Sequence, residues 1–258
     1  MDGVKSARRV FEFLEHFERV RRAISVAELA AHYHYPSSSV SAVMRTMVSL
    51  GYLSYNATKR TYLPTPRLPF LVGWIETHLY DGDGVRAIMR ELSAATGETI
   101  ILGAQNGVRA QYIDIIEATS PVRLHATAGS FRSLPHTAIG LVLLSRCEEA
   151  QLGPLVRRIN NEEADASRHV ELARVREAVE AVRRDGHALS IGGVVPGAGA
   201  LAMLLPSRVG ATPLAVGIAS VAPVLMQNRE RYVSALRAAI GRHLDPAPAE
   251  FAEGPTSR

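Results

Sequence analysis

Hydrogen-bonding side chains are concentrated between residues 37 and 46. Apolar residues recur there every three or four positions, which predicts a helix with a buried stripe formed by Val40, Val43, Met44 and Met47. The other positions are short or polar, and hydroxyl and guanidinium groups can bond to base edges in a DNA groove. We therefore predict DNA contacts from the polar set Ser37, Ser38, Ser39, Ser41, Arg45 and Thr46.

A basic pair follows this helix at the tip of a predicted hairpin. Gly51 predicts the end of the helix in a left-handed conformation. Residues 52–55 and 61–63 are rich in tyrosine, leucine and threonine, which favours two short strands. The tip between them ends in Lys59 and Arg60. Cations on a projecting hairpin, or wing, are suited to phosphate contact, so we predict that they meet the DNA backbone.

Capping signals place these residues in a helix-turn-helix. Ser25 followed by Glu28 forms a capping box, which predicts the start of a first helix. Pro36 favours the start of the second helix, with Ser37 or Ser38 as its cap. Such a unit places its second helix in the major groove of double-stranded DNA, which is the predicted partner.

The charge distribution supports this interpretation, although a serine-rich amphipathic helix is also typical of a solvated surface. Residues 1–70 carry 10 basic and 5 acidic side chains, whereas residues 71–258 carry 19 and 20. The net charge of +4 therefore originates in the segment with the helix-turn-helix pattern. A local positive excess favours binding to phosphates through counterion release.

A second group of candidate residues lies near position 135. Arg132 can hold a carboxylate bidentately, and Thr137 stands at a predicted helix start, where backbone N–H groups favour anions. Together with His136 they are the predicted contacts of a small organic effector. The alternative is that Thr137 only caps the helix and Arg132 points to solvent. The other walls of the pocket are predicted from Ser190, Gly192, Met203 and Ser220.

Catalytic and metal chemistry have little support in the sequence. His32 and His34 lack helical-face spacing, and no neighbouring Cys or carboxylate completes a ligand set. Cys147 lies on the apolar side of a predicted helix, which favours a packed thiol. A hydrolase using Cys147, or a serine with His125 or His136, is the alternative from another class, without a nucleophile-elbow pattern. We predict no metal, no cofactor and no catalysis.

Length and composition favour two globular domains. The chain has 258 residues, 47% of them hydrophobic, and a single cysteine, which excludes an intramolecular disulfide. Its first residues are charged and do not form a signal peptide, and no apolar run reaches about 18 residues. These features predict a cytoplasmic protein without a membrane partner.

Proline and glycine clusters predict the boundaries between segments. The predicted segments are a winged helix-turn-helix domain at 1–64, a linker helix at 65–84, an effector-binding domain at 85–245 and a disordered tail at 246–258. The apolar run Phe70–Leu79 predicts the linker helix. It favours pairing with a second copy, because helix-turn-helix proteins usually read two half-sites; packing onto its own domain is the alternative.

The C-terminal domain is predicted to be α+β with an antiparallel sheet. Asn106-Gly107 is a hairpin signal between strands at 99–104 and 110–116, and residues 129–135 are predicted as a loop. The remaining predicted elements are strands at 122–126, 188–191, 199–205 and 213–221, and helices at 85–95, 137–147, 149–158, 170–184 and 230–244.

The order of these motifs resembles the IclR (isocitrate lyase regulator) family of bacterial transcription factors, over roughly residues 4–245. The N-terminal part of the resemblance consists of the turn and helix at 36–40, the stretch Leu50–Leu53 and the wing. The C-terminal part consists of Thr96–Thr99, the loop and helix at 129–140, and the segment 183–188.

The resemblance implies a winged helix-turn-helix and a GAF-like effector domain, in homodimers that often pair into homotetramers. It implies a repressor or activator controlled by a small organic effector, often aromatic or carboxylic. Three positions depart from the family pattern: Ala42 replaces a basic residue, Gly193 an acid and Leu204 a proline. The departures predict a more apolar pocket and base reading by Arg45 or Ser41. They leave open a C-terminal domain that serves only oligomerisation.

Overall fold

The computed structural model describes residues 4–72, 82–120, 124, 126–206 and 212–244. They form two units, one made of the residues up to 72 and the other of the residues from 82 onward. Most of the predicted helix Phe70–Leu79, most of the predicted strand at 122–126 and the predicted tail at 246–258 lie outside the described residues. Residues 67–72 are helical.

The first unit is a winged helix-turn-helix, as predicted. Its three strands form an antiparallel sheet in the order β1-β3-β2. Its elements, in chain order, are α1 (Lys5–Val20), β1 (Ile24–Ser25), α2 (Val26–Tyr33), α3 (Ser37–Ser49), β2 (Leu53–Asn56) and β3 (Thr61–Pro64).

Local hydrogen bonds explain where the two helices of the motif begin. Ser25 Oγ accepts the Glu28 N–H at 3.2 Å, which confirms the predicted cap of α2. The predicted serine cap of α3 is wrong, because Pro36 takes that position and no side chain caps the helix. The Pro36 carbonyl accepts the N–H groups of Ser39 and Val40 at 3.0 and 3.1 Å. All three serines therefore lie within the first turn of α3.

One apolar core holds the three helices and the wing together. The predicted stripe of α3 is buried against α1 and α2, which fixes the rotation of α3 and leaves its serine-rich face outward. The most deeply buried members of this core are Phe13, Ile24, Leu29, Val40, Met44 and Leu53.

The second unit is α+β, with a six-stranded antiparallel sheet in the order β6-β5-β4-β9-β8-β7. Its strands are β4 (Thr99–Asn106), β5 (Arg109–Ile116), β6 (Phe131–Ser133), β7 (Ala188–Ile191), β8 (Ala198–Leu204) and β9 (Leu214–Val221). Its helices are α4 (Gly82–Thr96), α5 (Ala138–Leu144), α6 (Glu149–Glu162), α7 (Leu172–Asp185), α8 (Ala222–Gln227) and α9 (Arg229–His243).

Two predictions for this unit are wrong in detail. The segment predicted as a loop contains β6, which extends the sheet by pairing with β5 at Arg109, Ala110 and Gln111. The helix predicted at 137–147 is shorter, because α5 ends at Leu144 and Cys147 lies beyond it. The helix predicted at 230–244 is confirmed by α9, and the short helix α8 before it was not predicted. The predicted hairpin at Asn106-Gly107 is confirmed by the pairing of β4 with β5.

Helices cover both faces of the sheet, and strand alternation assigns each residue to one face. Helices α5, α6 and α7 share one core with Ala202 and Ala215, while α4, α8 and α9 share the other with Leu201 and Met203. In the second core the Tyr232 hydroxyl donates to Glu98 Oε1 at 3.1 Å, and burial raises the pKa of Tyr232 to about 12. No helix of the described residues is long and apolar enough to cross a membrane.

Candidate nucleic-acid interface and effector site

The outward face of α3 carries the predicted DNA contacts. Ser37, Ser38, Arg45 and Thr46 are exposed, and Ser39 and Ser41 are half-buried. The serine and threonine side chains are short, so a DNA groove can approach the backbone of α3 closely. The longer side chain of Arg45 is exposed on the same helix. The Thr46 hydroxyl donates to the Ala42 carbonyl at 3.0 Å, so it is left as an acceptor for a DNA donor.

The wing presents the predicted basic pair from a tight tip. The backbone N–H of Lys59 donates to Asn56 Oδ1 at 3.0 Å. Arg60 has a φ of 52°, a left-handed conformation that completes the turn of the chain between β2 and β3. Both cationic side chains are exposed. The Tyr55 and Tyr62 rings, with centroids 4.7 Å apart, pack across the two strands and stiffen the hairpin.

Arg9 is a cation beside α3 that the sequence did not single out. Its guanidinium donates to Ser39 Oγ and lies 4.4 Å from the centroid of the Tyr35 ring. The Tyr35 hydroxyl in turn donates to Glu12 Oε2 at 2.9 Å. Arg9 precedes Ser39 by 30 positions in the sequence, so only the packing of α1 against α3 brings the two side chains together.

A histidine pair, His16 and His32, joins α1 to α2 near the last turn of each helix. One Arg19 nitrogen lies 2.9 Å from both His16 Nδ1 and His32 Nε2. Since a guanidinium can only donate, both imidazole nitrogens must be unprotonated acceptors. Burial, followed by the charges of His32 and Arg19, lowers the pKa of His16, while Glu28, 3.9 Å away, opposes the shift.

We expect acid to weaken this unit. The pKa of His16 is lower in the folded protein than its unfolded value of about 6.5, so the unfolded chain binds the proton more readily. The stabilisation is therefore present above about pH 6.5 and is lost as the pH falls toward the folded pKa. Hydrogen exchange of α1 amides, corrected for intrinsic rates, should show protection falling between pH 7 and 5.5, with a smaller fall in His16→Gln. An equal fall in both proteins would contradict this assignment.

Arg132 lies in a charged cleft at the β6 edge of the second unit. Its guanidinium lies 5.4 Å from the centroid of the buried Tyr112 ring and donates to the Phe131 carbonyl at 2.8 Å. Its Nε is buried and has no hydrogen-bond partner among the described residues. The cleft has a volume of about 280 Å³ and is lined by Val108, Arg109, Phe131, Arg132, Ser133, Ile159, Glu162, Glu163 and Arg168.

His136 lies in a loop that is docked onto β7. The Ser190 hydroxyl donates to the His136 carbonyl at 2.7 Å, and Ser133 Oγ lies 2.8 Å from His136 Nδ1. Burial and the charge of Arg168 lower the pKa of His136. The imidazole lines a separate cleft of about 380 Å³ with Pro135, Leu141, His169, Val170, Glu171, Arg174, Val175 and Ala178.

The same docking explains one departure from the family pattern. A Cβ on Gly193 would lie inside contact distance of the His136 carbonyl and 2.8 Å from Ser190 Oγ. An acidic side chain therefore does not fit at residue 193 while the loop packs this closely. The neighbouring Gly192 is exposed, with a φ of 72°, a conformation that favours glycine.

The remaining predicted effector residues do not line either cleft. Thr137 is buried, and its hydroxyl donates to the Ser133 carbonyl and accepts the Gly140 N–H, both at 3.0 Å. Thr137 therefore caps α5, as the alternative interpretation of the sequence predicted. Met203 belongs to the core on the α4 and α9 face of the sheet, away from α5. Ser220 is buried on β9, opposite Gly199 of β8.

Among the groups considered for catalysis, Cys147 and His136 lie within the described residues. Burial raises the pKa of the half-buried Cys147 thiol, which disfavours the nucleophilic thiolate. Ser133 and His136 are within hydrogen-bond distance, but no carboxylate of the described residues hydrogen-bonds to His136. His125 lies outside the described residues. No cluster of three metal-ligating side chains occurs within the described part of the chain.

The geometry defines a class of protein: a winged helix-turn-helix with a polar exposed second helix, followed by an antiparallel-sheet domain with surface clefts. A family model described as "Bacterial transcriptional regulator IclR C-terminal" matches residues 83–244, and one described as "IclR helix-turn-helix domain" matches residues 6–57. The chain belongs to the IclR family of bacterial transcriptional regulators.

Curated relatives and solved structures agree with this family. The chain is 32% identical over 161 residues to the HTH-type transcriptional regulator KdgR of Dickeya chrysanthemi, covering 61% of this chain and 52% of the relative. It is 34% identical over 147 residues to KdgR of Escherichia coli (strain K12), covering 56% and 54%. The matches therefore span about half the length of these relatives.

Solved structures share the fold over nearly the whole chain. The Thermotoga maritima IclR structure matches with a TM-score of 0.64 at 19% identity, covering 92% of this chain and 96% of that one. An IclR transcriptional regulator from Alicyclobacillus acidocaldarius matches with a TM-score of 0.62 at 21% identity, covering 93% and 98%.

Proposed function

We propose that this protein is a transcriptional regulator that binds double-stranded DNA and responds to a small organic effector. The observation that carries the proposal is the outward face of α3, where polar residues stand opposite an apolar stripe that fixes the helix. The wing adds two exposed cations next to that helix in sequence. Membership of a family of transcriptional regulators supports the same conclusion.

In this proposal the residues divide into base-reading and backbone-contacting groups. Arg45 reads a base edge in the major groove, since guanidinium is suited to bidentate contact with guanine. Lys59 and Arg60 contact phosphates, which position the helix without reading sequence. The serines and Thr46 supply short hydrogen bonds along the groove. Two copies bind two half-sites, as a homodimer or a homotetramer.

The effector proposal centres on the cleft that contains Arg132. Glu162 pairs with Arg158 at 2.9 Å, and Glu163 pairs with Arg168 at 3.6 Å. The cations that line the cleft without an ion pair to a described carboxylate are Arg109 and Arg132. A small carboxylic acid fits this arrangement, because a guanidinium with an unused buried Nε is a strong carboxylate ligand.

The loop around His136 is the second part of the proposed effector site. Ser190 holds the His136 carbonyl, and Gly192 supplies an exposed turn beside it. Thr137 contributes by fixing the start of α5. An effector that binds one arrangement of this domain more tightly than another would change DNA affinity, and DNA would change effector affinity by the same factor.

The DNA-binding proposal is tested with the purified protein and the DNA upstream of its own gene. Binding is measured across a salt series, beside a scrambled duplex of the same length and composition. We expect tight, salt-sensitive binding that prefers the native sequence. Equal affinity for both duplexes at every salt concentration would contradict the proposal.

The effector proposal predicts that a carboxylate stabilises the protein through Arg132. Benzoate, pyruvate and succinate are added singly, and thermal unfolding is followed. A ligand at about 100 times its Kd should add about 2.7 kcal/mol to the free energy of unfolding. Arg132→Ala should remove that shift, and the control Arg176→Ala, on α7 outside both clefts, should retain it. The carboxylate assignment would be contradicted if none of the three acids raised the melting temperature at any concentration in a series of tenfold steps.

The alternatives make different predictions for the same samples. If the C-terminal domain served only oligomerisation, no small acid would change both stability and operator affinity. If the chain were a hydrolase, the bound acid or its esters would be turned over. We propose that it is not an enzyme, with a cytoplasmic location, on the grounds that the curated relatives are named as transcriptional regulators.

A further inference from the structure

We propose that Arg9 of α1 is an additional DNA-backbone contact, poised beside α3. The inference rests on the proposed DNA-binding function and adds a residue outside the helix-turn-helix motif. Arg9 reaches the exposed face of α3 through its hydrogen bond to the Ser39 hydroxyl. A phosphate bound next to Ser39 would therefore lie within reach of the guanidinium.

The surroundings of Arg9 leave its charge available. No carboxylate of the described residues forms an ion pair with it, and its polar partners are the neutral hydroxyls of Ser39 and Tyr35. Glu12, one helical turn away, is engaged by the Tyr35 hydroxyl at 2.9 Å. An approaching phosphate would therefore replace a neutral acceptor, and no ion pair has to be broken.

The Tyr35 ring restricts the position of the cation. The guanidinium carbon of Arg9 lies 4.4 Å from the Tyr35 centroid, within the range of a cation–π contact. Tyr35 is itself stacked on Tyr33, with ring centroids 5.8 Å apart and planes inclined by 15°. A stacked arginine loses less side-chain entropy on binding than a free one. Less of the favourable free energy of the phosphate contact is therefore offset by lost entropy.

A purely structural role for Arg9 makes a different prediction. If Arg9 only positioned α3 through Ser39, its loss would weaken sequence-selective binding without changing the number of ions released. A phosphate contact instead contributes to the salt dependence, by about 0.9 in the slope of log K against log [salt] for each phosphate neutralised. The salt slope therefore separates the two roles.

The experiment compares four variants of the full chain with the wild type on native and scrambled duplexes. In Arg9→Gln, which keeps a donor for Ser39 but loses the charge, we expect the slope to fall by about 0.9 for each bound subunit. Both duplexes should lose affinity by the same factor, because a phosphate contact carries no sequence information. Arg9→Lys keeps the charge and should retain most of the slope.

The other two variants are controls. Ser39→Ala removes the resting partner. Because Ser39 is itself a proposed groove contact, its affinity for the native duplex should fall, but the salt slope should stay unchanged, since no charge is lost. Arg21→Ala removes an exposed arginine from the opposite end of α1 and should also leave it unchanged. An unchanged slope in Arg9→Gln, with selective binding intact in the wild type, would overturn the inference alone. Absence of selective binding in the wild type would overturn the proposed function beneath it.

Discussion

Replacing Arg45, Lys59 and Arg60 together with alanine should abolish selective DNA binding while leaving the protein folded. All three side chains are exposed, and no described carboxylate forms an ion pair with any of them. Surface substitutions of this kind usually change the free energy of unfolding by less than about 0.5 kcal/mol. The effect should therefore appear in binding and leave the melting temperature almost unchanged.

The size of the effect follows from the two kinds of contact. Loss of a bidentate arginine–base contact removes about 1–3 kcal/mol of discrimination between sequences. Loss of two phosphate contacts lowers the salt slope by about 1.8 for each bound subunit. The combination should bring binding to the native duplex close to the level of the scrambled one. Affinity is measured by fluorescence anisotropy between 50 and 300 mM salt.

A matched triple variant controls for net charge. Arg21, Arg157 and Arg229 are also exposed arginines, and their replacement by alanine removes the same charge from other surfaces. We expect this variant to keep the sequence preference and most of the salt slope. If both triple variants lost binding equally, overall charge would explain the result, and the assignment of α3 and the wing would be wrong.

Gly140→Ala should severely destabilise the second unit. A Cβ at this position would lie 2.5 Å from Leu134 Cα and closer still to the Leu134 carbonyl oxygen. Both contacts are to backbone, so no rotamer change can relieve them, and α5 must move away from the preceding loop. We expect a cost of about 3 kcal/mol or more, at the upper end of overpacking effects. Urea denaturation should show a lower midpoint.

Gly241→Ala is the internal control for this prediction. Gly241 also lies in a helix, α9, but its added Cβ would meet no atom within 4 Å. Removing a glycine from a helix interior there should raise stability by about 0.5–1 kcal/mol. A Gly140→Ala protein as stable as the wild type would show that the loop and α5 do not approach as closely as described.

The close packing at Gly140 involves the loop of the proposed effector site. The loop that packs there contains His136, and the hydroxyl of Thr137 caps the helix that follows. Ser190 and Gly193 hold the other side of the same loop. An effector that displaces this loop would alter the contacts of both α5 and β7. We infer that the loop is the part of the second unit best placed to link effector binding to a change in conformation.

Sequence alone was sufficient for features with local causes. The apolar spacing of Val40, Val43, Met44 and Met47 determined which face of α3 is buried, because a helix repeats every 3.6 residues. The signals at Ser25, Gly51 and Asn106-Gly107 predicted caps and turns, because each depends on the conformation of a few neighbouring residues.

The tertiary structure decided what depends on distant segments. Arg9 reaches Ser39 only because α1 packs on α3, and no periodicity in the sequence reports that contact. Strand pairing placed β6 where a loop was predicted and put Met203 on the face away from α5, because a strand's register decides which face each side chain takes. Likewise Pro36 replaced the expected serine cap through the geometry of the turn, which residue types alone do not determine.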